Sequence, residues 1–224
     1  MDVREAVLGR SSVRAFLDRP VERTLLEDLL EVARRAPSGG NLQPWRFYVL
    51  TGTPLEKLKA CVTNRMDSGE GADEPEYAVY PPKLWSPYRE RRYRNGEQLY
   101  AALEIPRENR DARLTQFARN FQFFGAPVGL FCYIDRKMGA PQWSDLGMYL
   151  QSLMLLLHAE GLAACPQEAW SSYHRLVAEI VEPPAEMMLF CGMAIGYPDP
   201  EHQVNIWRSE RAPVAEIADF RGWD

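Results

Sequence analysis

Histidine is scarce in this chain, with three in 224 residues, and the four cysteines are scattered at Cys61, Cys132, Cys165 and Cys191 in no paired metal-ligand spacing. His158, His174 and His202 stand apart from any acid or cysteine cluster. Metal catalysis and a hydrolytic triad are therefore poorly supported. No secretory signal opens the sequence, so the thiols are expected to be free in a reducing cytoplasm. Long apolar runs are missing too. The most apolar stretch, Leu150 to Leu157, is interrupted by Gln151 and Ser152 and ends at His158-Ala159-Glu160. That is too short for a membrane span and suits a buried helix. Basic excess is absent: 26 Lys and Arg against 31 Asp and Glu leave a net charge of −5, which argues against a nucleic-acid partner. The one local basic run, Arg89, Arg91, Arg92 and Arg94 among Tyr88, Tyr93 and Tyr100, reads as a solvated amphipathic helix or a lid. No low-complexity linker divides the chain, which points to a single domain over 1–224.

What is present begins with Arg10-Ser11-Ser12-Val13-Arg14, two cations and two hydroxyls within five residues. Guanidinium forks, hydroxyls and backbone N–H groups are the donors a phosphate needs. The same composition also fits a solvated turn, and a phosphate held there belongs equally well to a nucleotide, a flavin or a substrate. A second polar segment, Ser38-Gly39-Gly40-Asn41-Leu42-Gln43-Pro44, offers hydroxyl, amide and accessible backbone donors between rigid elements.

The pattern around these segments alternates helix and strand, with helices in excess. Asp2 and Glu5 open a short helix that Gly9 ends; Thr24 and Glu27 have capping-box spacing before the stripe Leu25, Leu26, Leu29, Leu30 and Ala33, which Pro37 stops. Strands are expected over Trp45 to Leu50, Val128 to Ile134 and Met187 to Ile195. Helices are expected over Pro54 to Val62, Trp143 to Glu160 and Ser172 to Val181. The region 64–119 is poor in apolar residues and reads as an excursion or cap over the core. From 197 to 224 the chain reads as a tail carrying Asn205, Arg208 and Arg211.

With these segments in place, the sequence resembles the nitroreductase family of FMN-dependent flavoproteins. The likeness rests on Arg10 to Phe16, on Ala36 to Trp45, on Phe123-Phe124-Gly125-Ala126-Pro127 and on the long helix near Trp143. It continues through Gly161 to Gln167, Cys191 to Tyr197 and Asn205 to Pro213, all in family order. The resemblance implies an α+β, nitroreductase-like fold with a central, mostly antiparallel sheet flanked by helices, and a C-terminal segment exchanged across a homodimer. It implies that Arg10, Ser11, Ser12 and Arg14, with Arg208 and Arg211, hold the FMN phosphate and ribityl chain. Pro37, Ser38, Gly39, Asn41 and Gln43 would approach the flavin from the partner subunit, and Pro166, Gln167, Glu168 and Ala169 would run along its ring. The implied activity is NAD(P)H-dependent, ping-pong, two-electron (hydride) reduction through flavin N5, with NADH or NADPH as donor and a nitroaromatic compound taken to nitroso and hydroxylamine. No catalytic side chain is required, because the flavin carries the electron chemistry. Phe123, Phe124, Trp85, Tyr88 and Tyr93 are candidates for an aromatic substrate slot. A quinone, enone or halogenated aromatic acceptor, and a non-catalytic flavin-binding protein, are the alternatives.

Overall fold

The computed structural model describes residues 1–223 and is built on one four-stranded sheet. Its strands are β1 (Arg46–Thr51), β2 (Val128–Asp135), β3 (Ala163–Gln167) and β4 (Met187–Gly196), in the order β1-β2-β4-β3, and each neighbouring pair is antiparallel. The helices are α1 (Val3–Gly9), α2 (Arg23–Ala33), α3 (Gly52–Asp67), α4 (Tyr88–Ala102), α5 (Arg110–Ala118), α6 (Ala140–Ala159), α7 (His174–Val181) and the short α8 (Gln203–Ile206). The expected α+β class and central antiparallel sheet are found.

Side-chain alternation along the central strands feeds two cores. On one face Leu130, Cys132, Ile134, Cys191, Met193 and Ile195 pack with Leu146, Leu150, Leu153 and Leu157 of α6 and with Leu26 and Leu29 of α2. On the other, Phe131, Tyr133, Leu189 and Ala194 meet Leu55, Leu58 and Val62 of α3, Val177 of α7 and a cluster of aromatic rings. Burial on both faces is why β2 and β4 read as nearly continuous apolar runs.

Several boundaries differ from the sequence expectation. Helix α2 starts at Arg23 behind Glu22, which makes no side-chain cap bond, and no Thr24–Glu27 capping box forms. Glu27 instead takes the guanidinium of Arg23, one helical turn before it, at 2.8 Å. Helix α6 begins three residues ahead of Trp143, because Pro141 is tolerated in a first turn and Gln142 Oε1 accepts from the Gly139 N–H at 3.2 Å. Strand β3 was not expected as a strand.

The excursion resolves into α4 and α5, bound to each other by Arg113 and Glu97 at 2.7 Å. No residue of α4 is buried. Its approach is pinned to the core by the segment at Asp73–Tyr77. Buried Asp73 pairs with Arg65 at 2.9 Å and accepts from the Arg175 N–H at 3.0 Å, while the Tyr77 hydroxyl donates to the Phe190 carbonyl.

Candidate functional site

Residues 10–14 leave α1 in extended conformation and lie along the outer edge of β3. Ser12 bridges Ala164, and the Val13 N–H donates to the Ala164 carbonyl at 3.2 Å. The chain then runs beside the exit of β4, where Leu17 N–H donates to the Tyr197 carbonyl at 2.9 Å and Asp199 N–H to the Ala15 carbonyl at 3.0 Å. This lattice brings the tail's Arg208 and Arg211 to the N-terminal segment.

The result is a cleft of about 630 Å³ lined by Arg10, Ser11, Ser12, Arg14, Arg208, Ser209 and Arg211, with Asn95 of α4 at its rim. A smaller cavity of about 190 Å³ adjoins it, walled by Gly9, Arg10, His158, Asn205 and Arg208. Burial, followed by the charges of Arg211 and Arg208, pulls the pKa of Arg10 below its ordinary value. None of Arg10, Arg14, Arg208 and Arg211 has a carboxylate within 4.0 Å among the described residues, whereas Arg65, Arg91, Arg94, Arg113 and Arg136 all do. Four guanidiniums gathered with hydroxyls and no carboxylate partner make a donor set that fits a phosphate. His158 sits against this group, its ring packed so closely on Gly9 that a Cβ there would collide with Nε2. Desolvation, then Arg208 and Arg10, lower its pKa and favour the neutral imidazole.

The second segment lies elsewhere in the chain. Residues 37–43 line neither cavity, and the turn Gly39–Asn41 packs on α6, where Gly39 N–H reaches both carboxylate oxygens of buried Asp145 at 3.3 Å. Gln43 N–H donates to Ser38 Oγ at 3.0 Å, and Asn41 and Gln43 hold positive φ of 58° and 51°. A non-glycine residue in this region costs free energy, of order 1 kcal/mol or more, that the surrounding bonds must offset. The loop is thus fixed in shape with Ser38, Asn41 and Gln43 exposed or half-exposed.

Along β3, Pro166 is exposed and Ala169 half-buried, and Glu168 opens the 3-10 helix Glu168–Tyr173, whose first amides lack intrahelical acceptors. Gln167 is a correction: it is 2% exposed and its amide donates to the Asn120 carbonyl at 2.6 Å, so its side chain serves the core. Period-two alternation along β3 turns it inward between its outward neighbours.

Phe123 and Phe124 are a second correction. They are 0% and 2% exposed, with no ring face open to a substrate. Phe123 stacks on Trp170 at 4.7 Å and meets Phe131 edge-on at 5.7 Å, in a left-handed stretch with φ of 48° and 55° at Phe123 and Phe124 and 87° at Gly125. Trp85, Tyr88 and Tyr93 are exposed around the start of α4, with Trp85 edge-on to Tyr88 at 5.5 Å and Arg107 donating to Tyr93 Oη at 2.8 Å. The five aromatics therefore do not form one slot within the chain. Asn205, absent from the expected site, is the residue that the geometry adds: it bonds the backbone of Arg14 and Ala15 directly.

Fold and donor set together define an α+β protein with a phosphate-matched seat at the outer edge of its sheet. The chain belongs to the nitroreductase family, whose model matches residues 7–197. A 4-nitrobenzoate reductase of Pseudomonas putida is 35% identical over 226 aligned residues, covering 100% of this chain and 97% of that protein. Among solved structures, the FMN and NADPH-dependent nitroreductase NfnB of Sphigopyxis sp. strain HMH matches at a TM-score of 0.96 and 46% identity, with 100% of both chains covered. The FMN-dependent NfnB of Mycobacterium smegmatis, solved with NADPH, matches at 0.92 and 29% identity, covering 98% of this chain and 97% of that one.

Proposed function

We propose that this chain is an FMN-dependent NAD(P)H oxidoreductase that reduces nitroaromatic compounds and works as a homodimer. The observation that carries the reading is the convergence of Arg10, Arg14, Arg208 and Arg211 on one cleft without a carboxylate partner among the described residues. The names and high coverage of the relatives at 35% and 46% identity support the activity class.

Bound FMN supplies two-electron chemistry between a nicotinamide donor and an electron acceptor. In this reading Arg10, Arg14 and Arg208 hold the phosphate as charge-assisted donors, with Arg211 beside them, and Ser11 and Ser12 complete the shell toward the ribityl chain. Pro166, Glu168 and Ala169 border the ring, and the backbone N–H groups of Glu168 and Ala169 orient it. Gln167 contributes by fixing that strand from beneath, through Asn120. Pro37, Ser38, Gly39, Asn41 and Gln43 complete the site of a second copy. Their rigid loop and their absence from the lining of their own chain's cleft support that arrangement, as do the exposed Val3, Val7, Leu8, Leu42 and Met148. Trp85, Tyr88 and Tyr93 on the α4–α5 arm are the aromatic surface offered to a planar acceptor. Cap, core and tail act as one domain.

Purified protein is expected to be yellow, to release FMN on denaturation, and to lose its flavin band on anaerobic NADPH addition and regain it with a nitroarene. Colourless protein that fails to take up added FMN overturns the reading. A large kcat/KM preference for a quinone over nitroarenes would move the acceptor class.

A further inference from the structure

We propose that Asn205 is a positioning residue that sets the phosphate seat by locking its N-terminal half to its C-terminal half. The inference rests on the FMN reading above.

Asn205 stands three residues before Arg208, and its side chain makes three bonds into two other segments. Its Oδ1 accepts from the Arg14 N–H at 2.9 Å, and its Nδ2 donates to the carbonyls of Ala15 and Asp199, both at 2.8 Å. The amide orientation is fixed by its partners, since the Arg14 N–H only donates and the two carbonyls only accept. Asn205 N–H in turn donates to the His202 carbonyl at 2.9 Å, so the residue is held from its own side as well. Backbone bonds already join the strands at Leu17–Tyr197 and Asp199–Ala15. The bond to Arg14 is the additional one, and it falls at the residue whose side chain enters the cleft.

The chemistry of the seat explains why such a lock is needed. Arg10 lies in the field of Arg211 and Arg208, and none of the four guanidiniums of the cleft has a carboxylate within 4.0 Å among the described residues. A neutral amide with both donor and acceptor ties the two halves at Arg14 without adding charge or competing for the phosphate. An aspartate at 205 keeps the acceptor for Arg14 N–H but faces two carbonyl oxygens with an acceptor, and its carboxylate lies beside the cations.

The test separates phosphate recognition from general folding. FMN and riboflavin, which differ only in the phosphate, are titrated into cofactor-free wild type, Asn205→Asp and Asn205→Ser, and the exchange of the Arg14 amide is followed by NMR. The expected result is a loss of FMN-over-riboflavin preference of about 10-fold or more in Asn205→Asp, with a smaller loss in Asn205→Ser, an unchanged riboflavin affinity and faster exchange at Arg14. A wild type that prefers FMN, with variants that retain the preference, overturns the role of Asn205. Equal loss of FMN and riboflavin binding overturns it too, by showing a merely structural residue. A wild type that binds both ligands equally sinks the phosphate seat itself. Should Asn205→Asp not fold, Asn205→Ser keeps a hydroxyl for one of the three bonds and carries the same comparison.

Discussion

Replacing Arg10 with glutamine should act in opposite directions on the cofactor-free and cofactor-bound protein. In the free protein Arg10 is half-buried beside Arg208 and Arg211 with no anion, and its lowered pKa records that its charge is disfavoured there. Removing the charge relieves that repulsion, so the melting temperature without FMN should hold or rise. With FMN the same change deletes a charge-assisted hydrogen bond of about 1.5–3 kcal/mol, which weakens binding roughly 10- to 140-fold. Ligand stabilisation follows RT ln(1 + [L]/Kd), so at saturating FMN the variant forfeits about 1.5–3 kcal/mol of it. For a domain of this size that is a loss of roughly 3–12 °C in the FMN-induced shift. Thermal melts with and without FMN, beside a fluorescence titration at fixed salt, read both signs. A variant whose free protein melts lower while its FMN affinity is unchanged would refute the reasoning, because Arg10 would then be a structural residue outside the seat.

Gly192→Ala should destabilise the fold by about 1–3 kcal/mol through overpacking, since the new Cβ would collide with Trp170 Cδ1 and lie 3.0 Å from Cγ and Nε1. Denaturant melts measure this, and additivity with Trp170→Ala would show that the two sites are not in contact. His158 has a folded pKa below its ordinary 6.5, so the unfolded chain binds the proton more readily. Its contribution to cofactor-free stability is present above about pH 6.5 and is lost as pH falls from there through the folded pKa. His158→Gln should flatten that acid limb of a melting-temperature profile, and an unaltered profile would exclude the effect.

The sequence was legible where one physical signal dominated. β2, β4 and α6 announce themselves by continuous apolar runs or helical spacing, because both faces of the sheet and a broad face of α6 are buried. β3 hid because Ala163-Ala164-Cys165-Pro166-Gln167 has no β-branched residue and includes a proline. Proline is tolerated there because the outer neighbour bonds β3 at Ala164, leaving the exposed Pro166 with no ladder bond to supply on that side. Phe123 and Phe124 misled for a related reason: a motif shows that two rings are adjacent, but only the left-handed backbone that turns them under the sheet decides that they are core. The donor types at Arg10, Ser11, Ser12 and Arg14 could be read directly. Asn205 could not be assigned a role, since its partners are 191 residues away at Arg14 and 190 at Ala15.

That separation in sequence decides how the two halves of the proposed site behave. The loop at 38–43 is shaped mainly by local bonds, Gln43 to Ser38 and Gln43 to Asn41, and by one anchor at Asp145, so it is preformed once α6 is in place. The seat at 10–14 exists only when both ends of the chain have been brought together, and the like charges of Arg10, Arg208 and Arg211 oppose that closure. A phosphate bound there contributes most to the last, least local contacts of the fold. Cofactor binding should therefore protect amides at 10–17 and 197–208 from hydrogen exchange, and those at 38–43 only in the dimer, where they meet the cofactor of the second copy.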